Sequence, residues 1–515
     1  MSLTLLKALQ NPDLFDHPVT EFTLMETHIS WVLLTGDYVY KVKKPVNFGF
    51  LDYSSLEQRA HYCREEVRLN RRLAPEMYLD VIAVHGSEVQ PNLKDKGPVI
   101  EYMVKTRQFR QQDLLGNMQR AGTLTNAHID ALAARLAAFH QLAQPVAQDA
   151  PWGTPDNLHA PVADNFTHIR PLLGDASDLT QLTQLESWAH STFQRLIPQL
   201  AQRRSQGFVR ECHGDIYLDN VTLINGQVTL FDGIEFNDAF RWIDVMSDVA
   251  FMAMDLEDRG LKAMSQRFVN AYLEHTGDYA GLAVLDYYKA YRAMVRAKVA
   301  LLRLGQAGVN EEERRQVLDR YHSYTALAER YTHVPLRYGI LTQGIAGSGK
   351  STVALHLVEH LGAIRIRSDI ERKRLFGMQN DSGLDSGLYA PELSAQTYTR
   401  LAQLSDQILS AGYPVVVDAT HLKQAQRAEV RQAIEEQGAP CLMLQCTASI
   451  ELIEQRIEAR RQHNSDPSDA DIEVARHQLQ AMEPLDEVER SLCIQVDTAN
   501  TDSLSRLIDE LHKRF

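Results

Sequence analysis

The sequence predicts two domains: an N-terminal α+β domain made of a small antiparallel-sheet lobe and a helical lobe, then a C-terminal α/β domain with a parallel sheet. Three observations predict this. The chain has 515 residues, too many for one ordinary domain and enough for two cores. A long helical stretch, LDYYKAYRAMVRAKVALLRLGQ followed by EEERRQVLDRYHSYTALAERY, breaks at THVPLRYG, and a new strand starts at GILTQG. Beyond that break, apolar strand-like runs alternate with helices, the pattern of a buried parallel sheet wrapped by helices. The boundary falls near His333, dividing the chain into residues 1–333 and 334–515.

In order along the first part, THISWVLLTG and YVYKVKKPV read as strands, SLEQRAHYCREEVRLNRRL as a helix, YLDVIAVHG and GPVIEYMV as strands, and the remainder as mostly helix. In the second part the strands are YGILTQG, GAIRIRSD, YPVVVDAT, PCLMLQCT and LCIQVDTA. Hydrophobic residues make up 44% and charged residues 23%, which excludes a disordered or fibrous chain. The net charge of −14 is shared about equally by the halves, so no basic domain is available to track a nucleic-acid backbone. Cys63, Cys212, Cys441, Cys446 and Cys493 form no CxxC pair and no zinc-spaced cluster, and read as buried reduced thiols. The N-terminus lacks a basic stretch and a long apolar run, and no segment approaches the roughly 18 apolar residues that span a bilayer. The expected setting is the cytoplasm, without membrane attachment.

HGDIYLDNVTLINGQVTLFDG, residues 213–233, carries the first chemistry. Asn225-Gly226 is a strong two-residue hairpin signal, because both turn positions need positive φ. Folding about it pairs Ile224 with Gln227 and sets Asn220 beside Phe231, so Asn220 and Asp232 end at one rim. Oxygen donors placed together suit magnesium, a hard cation. Asp215, just before the hairpin, is placed to orient and deprotonate an acceptor hydroxyl. Upstream, Val39, Lys41 and Lys43 share one strand face; Lys41 is the first candidate for a phosphate-binding lysine and Lys43 the second. Glu66, or its neighbour Glu65, could pair with that lysine. VIEYMV, with Glu101 and Met103, is the strand expected to lead into a hinge whose backbone meets adenine. Asp248 could orient the catalytic loop from a following helix.

On these residues, positions of roughly 20 to 330 resemble the aminoglycoside phosphotransferase and choline kinase type of protein-kinase-like fold. The resemblance implies ATP-dependent transfer to a hydroxyl, with Asp215 as base and Asn220 and Asp232 on magnesium. Gly214 stands where protein kinases usually have Arg. No GxGxxG occurs near the N-terminus, so the phosphate-covering loop is expected at the turn Thr27–Ser30.

GIAGSGKST, residues 344–352, matches GxxxxGK[ST] between a strand and a helix. Gly344, Gly347, Ser348 and Gly349 let the backbone wrap a phosphate. Lys350 would bridge the β- and γ-phosphates, and Ser351, followed by Thr352, would put a hydroxyl on magnesium. Downstream, IRSDIERKRL sets Asp369 at the end of the second strand as a candidate base, with Arg372 one turn later to hold an acceptor phosphate or carboxylate. PVVVDAT ends a third strand at Asp418, a second magnesium candidate. ELIEQRIEARRQHNSDPSDAD reads as a lid whose Arg456 and Arg460 could neutralise charge on the transferred group. Residues of roughly 335 to 515 resemble the polynucleotide-kinase-like branch of P-loop kinases, and the whole resembles bacterial fusions of the two kinds of domain. That implies two ATP- and magnesium-dependent kinases acting on small hydroxyl-bearing acceptors. Nucleic acid enters only as an end substrate of the second domain, through Arg365, Arg367, Arg372, Lys373 and Arg374. A nucleotide sensor without turnover is the non-enzymatic alternative.

Overall fold

The computed structural model describes residues 3–49, 51–305, 309–377, 391–463, 471–500 and 502–514. Its contacts separate two compact units: Met1–Asp255 with Tyr291–Thr325, and Leu256–Ala290 with Ala326–Phe515. The division is therefore not a single cut. Helix Lys262–Thr276 is counted with the second unit, where Asn270 accepts a hydrogen bond from the Arg365 backbone at 2.7 Å and Glu274 grips the Arg365 guanidinium at 2.8 Å.

The first unit opens with a six-stranded sheet built from β1 (Thr23–Glu26), β2 (Ser30–Leu34), β3 (Tyr38–Lys43), β4 (Tyr78–Gly86), β5 (Pro91–Asn92) and β6 (Val99–Arg107) in the order β1-β2-β3-β6-β4-β5, antiparallel throughout. Alternation along β3 divides its work. Tyr40 and Val42 bury into a cluster with Leu5, Leu9, Val84 and Met103, so Lys41 and Lys43 point to the other face. That face receives the helix Leu56–Asn70, begun by a capping box between Ser55 and Gln58. The helical lobe follows, carrying two small pairs, β7 (Val209–Glu211) with β10 (Trp242–Asp244), and β8 (Val221–Ile224) with β9 (Gln227–Leu230).

The second unit holds five parallel strands, β11 (Gly339–Gln343), β12 (Ile364–Arg367), β13 (Val415–Asp418), β14 (Cys441–Thr447) and β15 (Cys493–Asp497), ordered β12-β13-β11-β14-β15. All five predicted strands are present, and the near-continuous burial of β11 to β14 explains why those four read as apolar runs. β11 sits between β13 and β14, where the chain changes direction across the sheet; ligands of such sheets bind beyond the strand ends at that point. Among the described residues no helix is long and apolar enough to cross a membrane.

Candidate active sites

The first site is assembled by the hairpin β8–β9. Asn225 and Gly226 take φ of 51° and 77°, Ile224 pairs with Gln227, and Phe231 donates to the Asn220 carbonyl at 3.1 Å. The Asn220 amide nitrogen binds Asp215 at its carbonyl (2.9 Å) and its Oδ2 (3.1 Å), which leaves Asn220 Oδ1 as the atom able to meet a cation. Asp232 holds φ of 62°, a strained conformation for a side-chain-bearing residue that recurs at functional sites. Beneath the loop, fully buried Asp248 accepts from the backbone of His213 (3.0 Å) and Gly214 (2.9 Å), with His140 Nε2 at 3.2 Å. Gly214 has φ of +87°, and a Cβ there would stand 2.5 Å from the Phe240 carbonyl; only glycine fits. The orienting role foreseen for Asp248 thus has a geometry.

Burial pushes the Asp215 carboxyl up to about 6; the Arg296 guanidinium opposes the rise and the Asp232 charge adds to it. A carboxylate poised there is a competent proton acceptor near neutral pH. Burial also presses on Asp232, but Lys41, whose Nζ lies 2.6 Å away, holds it below the usual carboxylate range.

Both strand lysines reach Glu66: Lys41 at 3.0 Å and Lys43 at 2.6 Å. Lys41 turns its other side to Asp232, whereas Lys43, 1% exposed, bonds Glu235 and lies 3.3 Å from the Tyr53 hydroxyl. Lys41 is thereby the lysine at the Asp232 rim and Lys43 an inner brace. Glu65 instead pairs with Arg68. Glu235 and Tyr53 went unnoticed in the sequence, because their roles arise from contacts 192 and 10 residues from Lys43.

One expectation is corrected. Glu101 and Met103, the nucleotide-binding candidates on the strand expected to lead into a hinge, lie well before its end. β6 continues to Arg107 and is paired on both sides, Met103 facing Val42 and Ile82 and Glu101 facing Val84. Met103 has a paired strand on each side, and the turn beyond β6 starts at Gln108. Glu101 instead binds Arg59 at 2.9 Å, tying the helix that carries Glu66 to the sheet. The turn Thr27–Ser30 does join β1 to β2, closed by Thr27 N to the Ser30 carbonyl at 2.9 Å.

In the second unit the phosphate-loop sequence leaves β11 and enters the helix Lys350–Leu361. Lys350 Nζ donates to the Ile345 carbonyl at 2.8 Å, and burial lowers its pKa. Three distant groups brace the loop. Gln478 accepts from Ala346 N at 2.7 Å, Thr498 Oγ1 donates to the Ser348 carbonyl at 2.8 Å, and Arg456 bonds the Gly347 carbonyl. A Cβ on Gly349, at φ +88°, would lie 2.9 Å from Thr498. Neither Gln478 nor Thr498 was legible beforehand, since each lies more than 130 residues away.

A cavity of about 1060 Å³ opens beside the loop, lined by Lys350, Asp369, Arg372, Asp418, Arg460 and Gln478 among others. That volume suits a nucleotide together with a small second ligand. Ser351 and Thr352 line it too, as do Gly347 and Gly349. Asp418 is 4% exposed, and its Oδ2 has no hydrogen-bond partner. A buried carboxylate oxygen at the end of β13 that accepts no hydrogen bond, faced by Arg367 Nε at 3.8 Å and lining the same cavity as Ser351, fits a magnesium ion or its water. In the first unit, Asn220 and Asp232 would hold such an ion. Bound magnesium supplies charge neutralisation on the phosphates; the residues described supply position and proton transfer.

Two further placements differ from expectation. Asp369 is the second residue of the helix Ser368–Leu375 rather than the end of β12, and the N-cap is Arg367. Its Oδ1 lies 3.9 Å from Arg372, which also donates to Thr397 Oγ1 at 3.4 Å. Arg456 is braced by Thr498, its guanidinium bonding Thr498 Oγ1 at 2.8 Å and the Thr498 carbonyl at 2.7 Å. Both Arg456 and Arg460, one turn on, line the cavity. The predicted lid loop, 464–470, and the part of the acceptor region at 378–390 lie outside the described residues. The basic cluster is no surface patch: Arg365 pairs with Glu274, Arg374 with Glu371, Arg367 is 3.8 Å from Asp418, and Arg372 and Lys373 are buried.

Residues 36–285 match the phosphotransferase enzyme family, and residues 340–485 match the AAA domain. Uncharacterised proteins of Mycobacterium tuberculosis and Mycobacterium bovis are 31% identical over 457 residues, covering 87% of this chain and 89% of theirs. Among solved structures, a choline/ethanolamine kinase family protein from Mesorhizobium loti aligns over 64% of this chain and 96% of its own, with 13% identity and a TM-score of 0.40. A gluconokinase from Sinorhizobium meliloti aligns over 35% and 98%, with 20% identity and a TM-score of 0.24. Both parts are of kinase-like families, and the chain belongs to a family of bacterial fusions that join an aminoglycoside phosphotransferase-like domain to a P-loop kinase domain.

Proposed function

We propose that the chain is an ATP- and magnesium-dependent bifunctional phosphotransferase, with residues 1–333 and 334–515 each passing a γ-phosphoryl group to a hydroxyl of a small-molecule acceptor. The observation that carries this reading is the same grouping in both parts: a carboxylate base beside a phosphate-binding lysine and metal-competent oxygens. In the first, Asp215 stands with Lys41, Asn220 and Asp232. In the second, Asp369 shares one cavity with Lys350, Ser351 and Asp418. Each base would take the acceptor proton as the hydroxyl attacks in line, while the lysine and arginines hold the phosphates.

A small acceptor suits the second cavity better than a nucleic-acid end, because the cations offered for the latter are buried or paired with acids. Buried Cys63, Cys212, Cys441 and Cys446 suit a reducing, cytoplasmic setting. The test is transfer of labelled phosphate from ATP to a bacterial metabolite extract by wild type, Asp215→Asn and Asp369→Asn. A product lost in one variant alone assigns that chemistry to one part. Products unchanged in both variants would sink the reading, and nucleotide binding with no product anywhere would favour a sensor.

A further inference from the structure

The helix Leu282–Leu302 brings Arg292 and Arg296, one turn apart, to the loop that carries Asp215. Arg292 is 4% exposed and fully engaged with that loop: it donates to the Gly214 carbonyl at 2.9 Å and to Ser247 Oγ at 3.1 Å, with its guanidinium 4.8 Å from the Phe251 ring centroid. Arg296 is different. Its guanidinium lies 4.8 Å from the centroid of Tyr217, two residues beyond Asp215, and its polar contact is the Tyr324 hydroxyl at 3.4 Å. Tyr217 in turn stacks on Phe251 with centroids 5.9 Å apart. Arg296 is thus laid on an aromatic bed beside the catalytic base.

Arg296 is half-buried; the well-buried arginines other than Arg292 meet carboxylates, Arg59 with Glu101, Arg203 with Asp244, Arg365 with Glu274 and Arg427 with Glu489. Arg292 and Arg296 have none within ion-pair distance among the described residues. A guanidinium is always charged, and taking it out of water without a counter-ion is costly; an aromatic face offsets only part of that. The charge is felt at the base, where Arg296 is the strongest opponent of burial. A planar fork of donors beside an aromatic ring matches a carboxylate or phosphate bidentately, and two arginines in one turn repel a cationic acceptor.

We propose that the acceptor of the first site is a small hydroxyl-bearing anion, a hydroxy acid or a phosphate ester, and that Arg296 binds its charged group while Asp215 takes its hydroxyl proton. The bond made is between the acceptor oxygen and the γ-phosphorus; the bond broken is to the β,γ-bridging oxygen, ADP leaves, and the proton goes to Asp215. This inference rests on the kinase reading of the first site.

The test uses the full chain carrying Lys350→Ala, which silences the second cradle. A metabolite extract is split on an anion-exchange resin, and each fraction is offered with labelled ATP. Acceptor activity sensitive to Asp215→Asn is expected in the retained fraction. Phosphatase treatment of that fraction beforehand destroys a phosphate-ester acceptor and spares a hydroxy acid. With the acceptor fraction in hand, Arg296→Gln should raise its KM by about 10- to 100-fold, with the KM for ATP within about twofold and Arg296→Lys intermediate. Asp215-dependent product from the unretained fraction would overturn the proposal, as would Arg296→Gln acting on the KM for ATP instead. Asp215-independent product, or none, would instead bring down the kinase reading itself. The partition by charge needs no variant, so a misfolded Arg296→Gln chain leaves the proposal open to refutation.

Discussion

Asp215→Asn should abolish transfer at the first site and at the same time stabilise the unit that carries it. The Asp215 carboxyl has its pKa raised from 3.8 to about 6, chiefly by burial. The folded chain therefore binds this proton more tightly than the unfolded chain does. That contribution to stability is complete below pH 3.8 and is lost as the pH rises through 6. A rise of about two units, at 1.36 kcal/mol each, amounts to about 3 kcal/mol lost by neutral pH. Asparagine has no proton to lose, so the variant should match wild type near pH 4 and exceed it by about 2–3 kcal/mol above pH 7. All four tryptophans, Trp31, Trp152, Trp188 and Trp242, lie in the first unit, so tryptophan fluorescence during urea unfolding follows that unit. The same group should make kcat/KM at the first site fall with a slope of one below about pH 6. A stability difference that stays constant from pH 4 to 8, or shrinks as pH rises, would refute the assignment of a buried, proton-hungry carboxyl.

Glu66→Gln removes the acid shared by Lys41 and Lys43; breaking such a buried grouping should cost about 3 kcal/mol, read by tryptophan fluorescence, and should raise the KM for ATP at the first site. Gly349→Ala forces a Cβ to 2.9 Å from Thr498 at φ +88°. We expect a cost of about 2 kcal/mol and the loss of ATP-induced hydrogen-exchange protection in residues 344–361. Thr498→Val deletes the hydroxyl that bonds Ser348 and Arg456. In an Asp215→Asn background it should destabilise the second unit by about 1–2 kcal/mol and raise the KM for ATP several-fold with little change in kcat; an unchanged KM would remove Thr498 from the loop's support.

What was legible in the sequence was whatever is local. The turn at Asn225-Gly226 dictates a hairpin, and that hairpin places Asn220 and Asp232 at one rim before any tertiary contact is known. The loop at 344–352 is similar: its glycines and the strand and helix around it are all within twenty residues. The misplaced residues fail for one reason each. Glu101 and Met103 lie in a strand that runs four residues past Met103, because pairing with both β3 and β4 keeps β6 extended where periodicity alone set its end. Asp369 moved into a helix because Ser368 begins one directly after β12. Glu235, Gln478 and Thr498 could not have been found, since their partners are far off in sequence and none sits in a recognisable spacing. Arg292 and Arg296 left a weaker trace, two arginines at helical spacing, which acquires meaning only beside Tyr217.

The two phosphate sites share an electrostatic design that the motifs by themselves do not disclose. Lys41 bonds Asp232, the lysine and the candidate metal ligand satisfying each other at 2.6 Å. Lys350 bonds the carbonyl of Ile345 in its own loop. Neither cation stands unpaired in a buried setting, where it would lose several kcal/mol of hydration. Nucleotide binding would then be an exchange of partners: a phosphate would replace Asp232 on Lys41, and Asp232 would be free to hold a magnesium ion. The two exchanges depend on each other, because freeing Asp232 without a cation leaves a charge that Lys41 had held low. Metal and nucleotide should therefore bind the first site cooperatively. At the second site Lys350 would give up only a neutral carbonyl, and Asp418 is not bonded to that lysine: its Oδ2 accepts no hydrogen bond and faces Arg367 at 3.8 Å, so the coupling there should be weaker.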